Sequence, residues 1–218
     1  MTLLQIRNLA LAWLDDEDSG YYTTSQMNQF INMALKEAQK ILIQSFENRF
    51  VKVVEGVTVA NQGRYKLPSD LMKINLMELV TTTVGPQEER GTIIQTTLSQ
   101  KDRNISKTGN PSTYAFLDDE FLLRPIPDSV NTIRIYYTYR VADLADDSDI
   151  PAIPSEYHEY IAMRAAKFGF IKDGRETSAL DLELAKLRDD MKKDAENRNV
   201  DRARGIVMTT SDSIDPLF

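Results

Sequence analysis

Between Met27 and Phe46 the apolar residues Met27, Phe30, Ile31, Ala34, Leu35, Ala38, Ile41, Leu42 and Phe46 recur at steps of three and four. Only an α-helix turns that period into one continuous apolar face. Thr23 and Gln26 stand in a T-x-x-Q capping box and fix where the helix starts. A face of this length needs other elements to cover it, and the same period returns at both ends of the chain. Leu3, Ile6, Leu9, Ala10 and Trp13 mark a helix over Thr2 to Leu14, stopped by Asp15 to Asp18 and Gly20. Pro151 and Pro154 set up a third helix with Tyr157, Ile161, Ala165, Phe168 and Ile171 on one face and Gly174 at its end. Leu180, Leu184, Leu187, Met191 and Ala195 form the stripe of a fourth, long and exposed within the charged stretch Arg175 to Arg204.

After Phe50 the pattern changes. Val51 to Val59 is rich in β-branched residues, Asn61-Gln62-Gly63 signals a turn, and Arg64 to Leu67 runs back towards Pro68, which predicts a hairpin. Further strands are expected at Leu76 to Val84, at Ser112 to Leu117 paired with Phe121 to Arg124, and at Thr132 to Arg140. Gly85 to Asn110 is polar, with Ile93, Ile94, Leu98 and Ile105 as its anchors, and reads as a long loop or an excursion with short pieces of structure. The expected fold class is therefore α+β. It is a bundle of about four helices with a β-rich insertion between helices two and three and an extended C-terminal arm. The segments are residues 1–48 and 151–204 for the bundle, 49–150 for the insertion and 205–218 for the arm. That arm lacks a helical period yet holds Ile206, Val207, Met208, Ile214, Leu217 and Phe218, more apolar residues than a plain solvated tail carries. It either folds back on its own body or docks on a partner.

Composition and motifs narrow the chemistry. With 218 residues, 42% of them hydrophobic, the chain can bury a real core. The absence of cysteine agrees with a reducing compartment, and neither a secretory leader nor a membrane span is apparent, so a soluble protein is expected. A net charge of -7, from 33 acidic and 26 basic residues, opposes tight DNA binding. The single histidine, His158, is the one base a Ser-His-Asp triad would have, and it reads as a surface or interface residue. No G-x-S-x-G, G-x-x-x-x-G-K-[ST] or G-x-G-x-x-G is present. The acidic runs Asp15 to Asp18 and Asp143 to Asp149 do not fit a calcium loop, since Met27 falls where the first needs its glutamate and the second meets prolines. They read as solvated loop charge. Arg198, Arg202 and Arg204 are interrupted by Asp201 and lack aromatic neighbours, and Tyr136, Tyr137 and Tyr139 alternate along a strand as packing residues do. No catalytic residue, metal or cofactor is expected, and the chain reads as a non-enzymatic building block.

Three runs share a cadence: Gly109-Asn110-Pro111-Ser112-Thr113-Tyr114, Leu122-Leu123-Arg124-Pro125-Ile126-Pro127-Asp128 and Thr132-Ile133-Arg134-Ile135-Tyr136-Tyr137. Tyr65-Lys66-Leu67-Pro68-Ser69-Asp70-Leu71-Met72-Lys73-Ile74 and Asp149-Ile150-Pro151-Ala152-Ile153-Pro154 with Tyr157-His158 agree with them. Together they resemble the head-to-tail adaptor proteins of tailed bacteriophages, also called connector or head-completion proteins. The resemblance implies a structural virion protein that forms a dodecameric ring between capsid portal and tail and extends the DNA channel. Its partners would be the portal ring, tail or nozzle proteins, further copies of itself and passing DNA without sequence-specific binding, with no membrane. It would be located in the virion neck after assembly in the host cytoplasm. Carried over, the portal-docking arm is Ile206, Val207, Met208, Ile214, Leu217 and Phe218. Arg188, Asp189, Lys192 and Lys193 on the charged last helix are candidates for contacts between subunits. Another neck or tail-completion protein is the alternative within the virion, and a small hydrolase or nuclease the alternative of another class.

Overall fold

The structure is a computed structural model that describes residues 1–18, 20–82, 88–98 and 107–198. Four helices are present among them: α1 (Leu3–Leu14), α2 (Thr24–Ser45), α3 (His158–Lys172) and α4 (Ser178–Arg198). Thr2 with Gln5, and Thr23 with Gln26, form reciprocal capping boxes that satisfy the first backbone N–H groups of α1 and α2. Asp15 closes α1 in the left-handed region at φ 58°, and Gly174 follows α3 at φ 67°. The helices bury Leu3, Ile6, Ala10, Ile31, Leu35 and Ile161 in one core, and the α4 stripe Leu180, Leu184, Met191 and Ala195 closes it. Gly169 lets α1 approach α3, since a Cβ there would lie 2.8 Å from Leu14 Cδ2. Ile171, expected on the buried face of α3, is exposed. Around Tyr160 to Ala166 α3 is buried on most sides, so its apolar stripe does not continue to the last turn.

The strands are β1 (Val51–Val57), β2 (Arg64–Lys66), β3 (Leu71–Thr82), β4 (Glu88–Thr92), β5 (Ile94–Gln95), β6 (Thr113–Leu117), β7 (Glu120–Arg124) and β8 (Thr132–Tyr139). They make two four-stranded sheets, ordered β1-β8-β3-β4 and β2-β7-β6-β5. A second core lies between the sheets, built from Ile74, Met77, Leu79, Tyr114, Leu123, Ile135 and their neighbours. The expected β6/β7 pair and the β8 strand are present. The expected hairpin of Val51–Val59 with Arg64–Leu67 is not formed. Instead β1 pairs with β8, from Val51 opposite Thr138 to Val57 opposite Thr132, and β2 pairs with β7. The turn between them bonds to a distant loop: Thr58 donates its N–H to Asn131 O (2.8 Å) and its hydroxyl to Ser129 O (2.8 Å), and Asn61 N–H reaches Pro127 O (2.8 Å). The chain therefore crosses from one sheet to the other. The stretch expected to be a long loop or an excursion with short pieces of structure supplies two short strands, β4 and β5, with β4 running antiparallel to β3.

The returning segment after β8 belongs to the helices. Val141 and Leu144 are buried in the helical core. Gln39 of α2, 1% exposed, donates Nε2–H to Tyr139 O (2.6 Å) and accepts from Val141 N–H (3.2 Å). Two turns earlier Asn32 accepts from Leu144 N–H (2.8 Å) and donates to Leu144 O (3.0 Å). Between them Lys36 meets Asp143 at 2.6 Å. Carbonyls of Asp147 and Asp149 then take the N–H groups of Leu4 and Leu3, and the buried Arg7 of α1 reaches the exposed carboxylate of Asp147 (2.8 Å). Gln39→Leu would strand a buried carbonyl and a buried N–H, so it is expected to destabilise the protein by about 2–4 kcal/mol, read from urea unfolding.

Candidate functional site

Two surfaces stand out. The first is a cleft of about 510 Å³ where α4 crosses α2 and α3, lined by Glu37, Tyr160, Arg164, Lys167, Arg188 and Lys192 among others. It arises because α4 spends its apolar stripe on the core and turns charged flanks towards the charged flank of α3. Part of this charge is already paired: Arg164 Nε donates to Glu37 Oε2 (2.9 Å) while lying over the Phe168 ring, and Lys167 bonds Asp181. The Asp181 carboxyl is held below the usual range chiefly by that lysine. Burial, with Glu37 beside it, pushes the Tyr160 phenol up to about 12, so it stays protonated and donates to Glu37 Oε1 (3.3 Å). Of the interface candidates, Arg188, Asp189 and Lys192 line this cleft. Lys193 lies 3.7 Å from Asp190, one turn back on α4, and does not line it.

The second surface is the open margin of the sandwich. β1 is the edge of one sheet and β2 the edge of the other, and between them lies a groove of about 340 Å³. Val54, Gly56 and Val57 of β1, Tyr65 of β2 with Leu67 just after it, and Ile133 and Ile135 of β8 are among the residues that line it. On β1, Val57 is 60% exposed and the neighbouring Val53 is 53% exposed. The charges of β1 are satisfied: Lys52 meets Asp70 at 2.8 Å and Glu55 meets Arg134 at 2.7 Å.

Other sequence-derived sites fall differently. The arm residues Ile206, Val207, Met208, Ile214, Leu217 and Phe218 lie outside the described residues, as do Arg202 and Arg204. His158 is not a surface residue. It is 1% exposed, with Nε2 donating to Ile153 O (2.9 Å) and Nδ1 2.8 Å from the amine of Met1. The first turn of α3 is covered from outside the helix, with Ile153 at one ring nitrogen and the Met1 amine at the other, which a helical wheel of α3 alone does not reveal. Tyr137 is a packing residue, buried in the sandwich with its hydroxyl on Asp70 (2.9 Å). The acidic runs are exposed but not merely solvated. Asp16 accepts from the N–H groups of Gly20, Tyr21 and Tyr22, and Asp149 from those of Ala145 and Asp146. These backbone bonds hold the Asp149 carboxyl below its ordinary value. Sequence reasoning missed Asn32, Gln39 and Arg7. Its signal was two amides seven residues apart, flanking the apolar stripe of α2 on the same side.

Among the described residues no group of three or more His, Asp or Glu could hold a metal ion, and no helix is long and apolar enough to cross a membrane. The surfaces are suited to contact, and the family comparison agrees. The family model described as SU10 adaptor protein matches residues 1–209. The chain belongs to the SU10 adaptor protein family. No curated protein sequence matches it. The SU10 adaptors are phage head–tail adaptors, so the resemblance carried by the proline, glycine and tyrosine runs is correct at family level. The match takes in all four helices and both sheets, so the cleft and the groove are both features of an SU10 adaptor chain.

Burial lowers the His158 pKa in the folded chain, so on acidification the unfolded chain takes up the proton first. Stability is therefore expected to be complete above about pH 6.5 and to fall as pH drops through the folded value. His158→Gln should flatten that limb, measured as the thermal midpoint between about pH 7.5 and 5.

Proposed function

We propose that the chain is a non-enzymatic subunit of a dodecameric ring that sits between the capsid portal and the tail and extends the DNA channel. Family membership over residues 1–209 carries this reading. A closed ring needs heterologous contacts, in which one face of a subunit meets a different face of the next. The charged cleft on the helices and the apolar margin of the sandwich are two such unlike faces. In this reading Arg188, Asp189, Lys192 and Lys193 meet the neighbouring subunit. The arm anchors Ile206, Val207, Met208, Ile214, Leu217 and Phe218 bind the portal ring, and tail or nozzle proteins bind the opposite end. The net charge of -7 lets DNA pass without adhering. The protein works in the virion neck after assembly in the host cytoplasm, without a cofactor.

Purified protein should co-sediment with isolated portal rings at micromolar concentration, and removal of residues 205–218 should abolish this. Full-length protein that ignores portal rings refutes the portal assignment. The double charge reversal Arg188→Glu with Lys192→Glu is expected to change unfolding stability by no more than about 0.5 kcal/mol, because both residues lie on the surface. The same variant should fail to close rings on the portal when particles are viewed by electron microscopy.

A further inference from the structure

The groove at the sandwich margin has the form of a strand-receiving site. Among the described residues β1 has a hydrogen-bonded neighbour on one side, β8, so its other edge presents backbone donors and acceptors. Along this edge Gly56 lies opposite Ile133 and Val54 opposite Ile135, so the missing side chain at Gly56 leaves the β8 isoleucines at the floor of the groove. A Cβ added at Gly56 meets nothing within 4 Å. An added strand would gain backbone bonds along β1 and place alternate side chains between the two sheets. Lys52 and Glu55 are already paired and Lys66 is the remaining charge of the lining, so a strand seated against Val54, Gly56 and the β8 isoleucines is best neutral.

The chain contains a segment of that kind, and the fold starts it in the right place. Gly205-Ile206-Val207-Met208-Thr209-Thr210 is uncharged, without proline, and β-branched at Ile206, Val207, Thr209 and Thr210. It follows α4, whose Ala195 lines a small hollow with Phe46 and Arg49, immediately before β1 begins at Val51. Residues 199–205 span at most about 24 Å when extended, and a seven-residue strand is about 23 Å long. The described part of α4 thus ends at Arg198, one turn past a residue that lies beside the start of β1, and the sequence that follows is long enough to run along that strand.

We propose that in the unassembled subunit Ile206–Thr210 adds to the free edge of β1 of the same chain as a parallel strand. Ile206 and Met208 enter the groove, and Val207 lies on the outer face with Val53 and Val57. The arm is thereby held on its own body until assembly draws it away. This goes beyond the ring reading and is tested without portal, so the two can fail separately. Hydrogen–deuterium exchange of the full-length chain is compared with that of two full-length variants, Ile206→Asp with Met208→Asp, and Gly56→Arg. Amides of Val51–Val57 are expected to exchange about tenfold faster in both variants. Those of β8, on the far side of β1, should keep their protection and so report an intact sandwich. Unchanged exchange at Val51–Val57 in the Ile206→Asp, Met208→Asp chain overturns the proposal. Protection of Val51–Val57 that rises with protein concentration also overturns it, since a strand from another copy would then be the occupant. Should Gly56→Arg also expose β8, Gly56→Thr supplies the milder obstruction, and an absence of effect there counts against the groove.

Discussion

The two bodies of this protein are held in one arrangement by the side-chain amides of Asn32 and Gln39. Each bonds a backbone N–H and a backbone carbonyl of the segment that returns from β8 to the helices. A strand leaving a sheet carries polar backbone into whatever it packs on, and a purely apolar helix face would leave those groups without partners. Here α2 behaves towards 139–144 as a neighbouring strand would, with Lys36 and Asp143 closing the outer side. The segment can then bury Val141 and Leu144 in the helical core and present the 147–149 carbonyls to the first turn of α1.

From this joint follows the placing of the two surfaces. The bundle closes when α4 lays its apolar stripe on α2 and α3, which obliges the charged flanks to meet in a cleft. The sandwich follows the end of α2 through Phe50 and β1, and Ala195 near the end of α4 lies beside that junction, sharing a small hollow with Phe46 and Arg49. An adaptor has to join unlike partners, and a molecule with one charged face and one apolar face offers chemically distinct contacts without any reactive group.

Much of the bundle was legible in residue order. The capping box at Thr23, the stripe of α2 and the stripe of α4 each depend on neighbours within a turn or two, so local pattern suffices. The candidate cleft was half legible: Arg188, Asp189 and Lys192 were recognisable as a charged flank, but Glu37 and Tyr160 reach it from helices far away in sequence. The acidic runs looked like solvent-facing charge because nothing nearby in sequence announces that Asp16 and Asp149 would gather backbone N–H groups.

The sequence by itself determined the four helices, the strand-rich middle, the α+β class and the family, because these are set by side-chain period, caps and turn residues along the chain. Tertiary structure alone decided that β1 takes β8 as its partner and β2 takes β7. Asn61 fixes that the chain turns, whereas the choice of partner depends on which apolar faces can be buried together across the molecule. It also decided that His158 is enclosed. Exposure at the first turn of a helix is settled by what packs over it, and here Ile153 and the Met1 amine close on the imidazole.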